Sequence, residues 1–172
     1  MTKLVVLGVC GSVAAIESPK LARELARRGI STVSVMSASA RRIIHPDVME
    51  WATDSEVITE ITGKVEHVKL CGVGGKASLL LICPATANTI SKIANGIDDT
   101  PVTTFATTAL GSGIPVVIVP AMHSSMYKNP FVVENLKKLK KNKVRVIEPR
   151  FEEDKAKLAD IKEIADIVLE GI

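Results

Sequence analysis

Four short stretches of this 172-residue chain gather small and hydroxyl-bearing residues of the kind that let backbone amides approach a ligand. They are Gly11-Ser12-Val13-Ala14-Ala15, Ser37-Ala38-Ser39, Pro84-Ala85-Thr86-Ala87-Asn88-Thr89, and Pro120-Ala121-Met122-His123-Ser124-Ser125-Met126-Tyr127. Gly11-Ser12 follows an apolar run and leads towards a helix, and such a turn places amides and a hydroxyl around a phosphate. It would serve equally as a tight strand–helix connection. The run is not GxGxxG, and no acidic residue follows the second strand to hold an adenosine ribose, which disfavours NAD and favours a mononucleotide. Thr86 and Asn88 have a plainer reading too, as caps of the helix that follows.

The elements that must position these stretches alternate in type. Residues 4–9 are continuously aliphatic, as in a central parallel strand buried on both faces. Ser18-Pro19 reads as an N-cap with proline at the first helical position, and that helix stops at Gly29. Strands are predicted at 31–36, 79–83, 114–119 and 143–147, with helices after 84–88, over 103–110 and from Asn129-Pro130 to Lys141. Short helices are predicted at 40–44 and 46–53, and a closing helix over 154–169. Residues 63–76 carry four glycines and read as an irregular excursion. Strands alternating with helices imply an α/β chain, a three-layer Rossmann-like (flavodoxin-like) sandwich with a parallel sheet, folded as one domain over 1–172. All four small-residue stretches then fall beyond carboxyl ends of strands, where open parallel sheets bind ligands.

Composition removes several classes of function. Hydrophobic residues make up 47%, yet no apolar run approaches the ~20 residues of a membrane span. The Met-Thr-Lys start carries no cleavable leader pattern, so the cytoplasm is expected. A net charge of +3 and 3% aromatics argue against a nucleic-acid surface. Cys10, Cys71 and Cys83 are too few and too scattered for a thiolate metal site, and their odd number argues against a disulfide framework. Lys137-Lys138-Leu139-Lys140-Lys141 reads as a solvated helix end, with docking of an acidic partner as the alternative.

Taken with His67, the first, third and fourth stretches resemble, in order and over roughly residues 3–150, the homo-oligomeric flavin-containing Cys decarboxylases. That family includes phosphopantothenoylcysteine decarboxylases and lantibiotic-type peptide decarboxylases. The resemblance implies FMN bound near a subunit interface of a homo-oligomer. Its phosphate would lie near Gly11, Ser12, Val13 and Ser37 or Ser39. Its ring would lie near Pro84, Ala85, Thr86 and Asn88, with Thr103, Thr104 and Met122 close by. His67 takes the place of the family's active-site histidine, where an imidazole would shuttle a proton.

Two departures shape the expected activity. The family pattern places Asn, which holds the substrate carboxylate, where His123 stands, and Trp where Tyr127 stands. The family's substrate flap carries a reactive Cys, whereas this chain has no Cys after Cys83. The decarboxylases oxidise a cysteine side chain with FMN and then release carbon dioxide, so these departures make the chain look closer to the archaeal FMN flavoproteins. The expectation is an FMN-dependent oxidoreductase or electron-transfer protein, taking electrons from a ferredoxin, steered by the lysines, and passing them to a pterin or partner reductase. His67 and His123 would be its proton donors. A phosphopantothenoylcysteine decarboxylase-like activity, with His123 in the asparagine role, is the alternative.

Overall fold

The computed structural model describes residues 3–172. Met1 and Thr2, part of the start read above for a leader pattern, lie outside the described residues. Five parallel strands form the central sheet in the order β2-β1-β3-β4-β6. They are β1 (Leu4–Val9), β2 (Ser31–Met36), β3 (Leu79–Ala85), β4 (Val116–Pro120) and β6 (Arg145–Val146). The chain steps to one side from β1 to β2, then returns past β1 to lay down β3. The sheet therefore reverses direction between β1 and β3, and a crevice opens beyond their carboxyl ends.

Each central strand feeds two cores, because successive side chains point to opposite faces. Val5, Leu7 and Val9 pack with Leu21 and Leu25 of α1 (Ser18–Arg27), Met49 of α2 (Pro46–Thr53) and Ile164 of α8 (Ile161–Glu170). Val6, Leu80 and Ile82 face the opposite way. They meet Ile90 of α4 (Ala87–Ala94), Phe105 of α5 (Pro101–Ser112) and Leu136 of α7 (Pro130–Lys141). Helices thus cover both faces of a parallel sheet, the three-layer α/β sandwich that the alternation of elements implies.

Local differences from the sequence reading have physical reasons. Ser18 is the first residue of α1 rather than its cap, and its hydroxyl donates to the Cys83 carbonyl (3.3 Å), tying the helix start to the end of β3. The glycine-rich excursion contains a short helix, α3 (Glu66–Cys71), packed on α5. The largest difference follows β6. Where the closing helix was expected to begin, β7 (Arg150–Glu152) and β8 (Lys155–Lys157) form a hairpin. Its turn residues Glu153 and Asp154 both have positive φ (49° and 57°), the geometry of a tight two-residue hairpin turn. Helix α8 starts later, where the Asp160 carboxylate accepts from the amides of Lys162 (2.9 Å) and Glu163 (3.4 Å). The hairpin joins β5 (Met122–His123) to make a second, antiparallel sheet in the order β5-β8-β7, and the short helix α6 (Ser124–Tyr127) follows β5.

Candidate functional site

Beyond the carboxyl end of β1, Gly11 lies against the loop after β2. A Cβ built on Gly11 would stand 2.3 Å from the Ser39 Cβ, so the close approach of these two loops requires glycine there. The Ser12 hydroxyl accepts from the Ala14 amide at 3.3 Å and the Ser37 hydroxyl from the Ala40 amide at 3.2 Å. Each hydroxyl keeps its own proton to donate. Ser39 is exposed and Ser37 buried. Val13 points out to solvent at 76% exposure. Gly11 and Ser12 at the end of β1 thus meet the Ser37–Ser39 loop at the end of β2, beside the reversal point of the sheet.

The end of β3 forms the next wall. The Cys10 amide donates to the Pro84 carbonyl (3.2 Å), which holds the β1 and β3 ends side by side. Pro84 and Ala85 are buried, and Thr86 caps α4 by accepting from the Thr89 amide at 3.2 Å. Thr86 therefore fulfils its plainer, capping role, while the Asn88 side chain two residues on is exposed. Thr103 and Thr104 open α5. The Thr103 hydroxyl receives the amides of Asp99 (3.1 Å) and Thr100 (2.9 Å) and is 1% exposed, so its capacity is spent on the capping box. Thr104 bonds Asp98 and the Thr100 carbonyl, and lines a cleft of about 360 Å³ with Ala38 and Arg41.

A pocket of about 600 Å³ joins the β1 end to the second sheet, with Ser12, Met122, His123, Arg150, Lys155 and Lys157 in its lining. His123 Nδ1 lies 2.8 Å from the Ser125 hydroxyl and accepts from the Ser125 amide (3.3 Å), leaving Nε2 as the ring's outward atom. The hairpin is moored beside it. The Ser124 amide donates to the Asp154 carbonyl (2.9 Å), and Tyr127 meets Phe151 edge-on at 5.4 Å. The Tyr127 hydroxyl also donates to Glu148 at 2.6 Å. Desolvation works against the charged form of Glu148, but bonds from Lys140 and Tyr127 outweigh it and hold the carboxyl below its ordinary range. Burial, then Glu148, push the Tyr127 phenol up. Lys140 pairs with Glu148 at 2.5 Å and Lys138 donates to Asn95 (3.2 Å), so this part of the lysine run serves the fold.

His67 is not in this lining. It sits on α3 with its ring edge-on to Phe105 at 6.4 Å, and its Nδ1 is buried without a partner. Within one chain the two candidate histidines occupy different places. Sequence reasoning missed the hairpin cations Arg150, Lys155 and Lys157. Two signals pointed to them: the alternation Lys155-Ala156-Lys157-Leu158, and Asp160 as a better helix cap than Asp154.

A family model described as Flavoprotein matches residues 1–172. The chain belongs to the flavoprotein family. Among its relatives, the coenzyme A biosynthesis bifunctional protein CoaBC of Thermococcus kodakarensis is 61% identical over 163 residues, 94% of this chain and 40% of that protein. This flavoprotein chain thus spans about 40% of the length of such bifunctional relatives. A probable phosphopantothenoylcysteine decarboxylase of Streptococcus mutans is 32% identical, covering 87% of this chain and 84% of its own. Among solved structures, the FMN-dependent cysteine decarboxylase SpaF superposes with a TM-score of 0.85 at 31% identity, over 98% of this chain and 97% of that one.

These relatives correct the expected activity. Placement among archaeal electron-transfer flavoproteins, with an oxidoreductase role and a ferredoxin donor, is overturned by the kinship with CoaBC and the stand-alone decarboxylase. That expectation treated the missing flap cysteine and His123 as a loss of decarboxylation. The structure gives the physical reason it failed: a moored hairpin lies against the pocket in the segment where the flap was sought. The absence of one side chain did not mean the absence of an element beside the pocket.

Proposed function

We propose that this chain catalyses the FMN-dependent decarboxylation of phosphopantothenoylcysteine, a step of coenzyme A biosynthesis, as a single flavoprotein domain in the cytoplasm. One observation carries the reading. The chain aligns along nearly its whole length both with 40% of a bifunctional CoaBC and with most of a separate probable decarboxylase. The part of the bifunctional protein it corresponds to is therefore the decarboxylase part.

The cofactor is FMN, and the residues present suit it. A glycine that admits no Cβ stands beside two serines with protons to donate, a fitting seat for a phosphate. Gly11, Ser12, Ser37 and Ser39 hold that phosphate, with Val13 flanking it. Pro84, Ala85, Thr86, Asn88 and Met122 border the ring, while Thr103 and Thr104 shape the adjoining wall by fixing the start of α5. Bound FMN would accept two electrons from the substrate's cysteine side chain, so that carbon dioxide can leave, and would return them to the resulting enethiol to give the saturated thiol. His123, with Nε2 outward, binds the substrate carboxylate. His67 moves the proton, brought to the pocket by a second copy; its place outside the lining within one chain supports this reading. The working form is a homo-oligomer with the site at a subunit interface.

The experiment is to load the purified protein with FMN, add phosphopantothenoylcysteine, and measure carbon dioxide release and the decarboxylated thiol product. Release dependent on FMN is the expected result. A flavin-loaded protein that leaves the substrate intact would overturn the reading.

A further inference from the structure

The proposed substrate has two charged ends, and the residues above account for only one. The cysteine end belongs with His123 and the cofactor, while the phosphate end is a dianion that needs cations. The register of the second sheet provides them. Residues directly opposite in an antiparallel pair share a face. The pairs His123↔Lys155, Glu152↔Lys155 and Arg150↔Lys157 therefore put His123, Lys155, Lys157, Arg150 and Glu152 on one face. Met122, Ala156 and Phe151 take the other. All of the first group except Glu152 line the 600 Å³ pocket, together with Met122 and Ala156 of the second group and the acidic Glu17.

These cations are not equally free. Lys157 is matched by Glu152 at 2.8 Å. Arg150 stands 3.9 Å from Glu152, and Lys155 stands 4.0 Å from Glu153. Both are too loosely paired for their charge to be taken up. Arg150 is also oriented, because its Nε donates to the Leu158 carbonyl at 3.0 Å. That bond fixes the guanidinium plane and leaves the terminal nitrogens to a ligand, the fork that suits phosphate oxygens. Strand spacing and rise put Arg150 roughly 12 Å from His123 across the sheet, so the two ends of one extended molecule can reach both.

We propose that Arg150, supported by Lys155, is the phosphate-binding and specificity-determining residue of this site. The idea rests on the decarboxylase reading but fails separately from it. Arg150 sets a preference for phosphorylated over unphosphorylated substrate. Its removal falls on the KM for the phosphorylated one, at about tenfold or more for the loss of a charge-assisted pair.

The test compares kcat/KM for phosphopantothenoylcysteine and pantothenoylcysteine in the FMN-loaded wild type, Arg150→Met and Arg150→Lys. Calorimetric titrations with phosphopantothenate and pantothenate accompany it. Arg150→Met should collapse the preference in both readouts, and Arg150→Lys should restore part of it. A wild type that treats both substrates alike, or an Arg150→Met protein that keeps the preference, overturns the phosphate seat and leaves the decarboxylase intact. A wild type that releases no carbon dioxide yet binds phosphopantothenate more tightly than pantothenate overturns the reaction and upholds the seat. If Arg150→Met fails to fold, Arg150→Lys and Lys155→Met are read in the same two assays.

Discussion

Gly11 is the residue on which the proposed cofactor seat depends most directly. With Ser39 Cβ 2.3 Å from where its own Cβ would be, Gly11→Ala must push the loops after β1 and β2 apart. The strain alone should cost about 1–3 kcal/mol, and the displaced amide should cost the phosphate its seat. Gly11→Ala protein is expected to purify with less flavin absorbance and a lower melting midpoint, even with FMN added. Midpoints that rise with FMN as they do in the wild type would contradict this. The cysteines make a second prediction at this scale. Burial, partly offset by bonds at Thr89 and Thr86, pushes the Cys10 thiol up to about 11; burial raises Cys71 to about 12. Cys83 is raised as well, by burial and then by Cys10. Since the thiolate is the reactive form, iodoacetamide at neutral pH should label none of the three in the folded protein and leave turnover intact. Mass spectrometry should find all three labelled after denaturation. The small residues at strand ends were legible because backbone approach leaves its mark on residue type. The specific partner of each was not: Thr103 and Asn88 look alike as polar residues, yet one is buried in a capping box and the other faces solvent.

Helix α3 shows how an element can depend on one carboxylate. The Glu66 side chain accepts from the Thr62 hydroxyl and from the Thr62 amide (3.1 Å), and these bonds, the hydroxyl's first, hold its carboxyl down at about 2 instead of the ordinary 4.5. The pKa is lower in the folded state, so the folded protein is favoured once Glu66 is ionised. Its contribution is complete above about 4.5 and is lost as pH falls towards about 2. Glu66→Gln should therefore lower the melting midpoint at neutral pH, converge on the wild type near pH 2, and so flatten the fall over that window. An unchanged acid limb would show that this bond is not made in solution. The α3 helix was hidden in the sequence by its glycines, which end it and turn the chain away but do not prevent it. The hairpin was hidden for another reason. Residues 154–169 hold apolar residues at helical spacing, and the helical period of 161–170 was extended backwards over a stretch whose own period is two. The central strands were clear because burial on both faces leaves continuous aliphatic runs.

At the scale of the molecule, the sheet order explains why the cofactor seat was easier to read than the reaction. The reversal between β1 and β3 fixes where a ligand sits from topology alone, and the flanking glycine and serines give its chemical class. The proposed reaction depends on what a bound flavin would do to a particular substrate, and on side chains that lie apart within one chain. His67 on α3 and His123 on β5 are separated within the protomer. Sequence order gives no distance between copies; the family resemblance alone carries the expectation that His67, in the 63–76 excursion, faces a neighbouring subunit's flavin. It has a decisive consequence. If each site combines His67 of one copy with His123 of another, His67→Asn and His123→Ala should each abolish turnover when expressed alone. Co-expressed with different affinity tags and purified through both, the two variants should regain part of the lost activity, because some interfaces then bring together two intact histidines. Flavin content should match the wild type throughout, which separates a missing proton donor from a missing cofactor. Mixed oligomers that stay inactive while holding FMN would place both histidines in one protomer's site, and the pocket would have to close by moving α3 rather than by recruiting a neighbour.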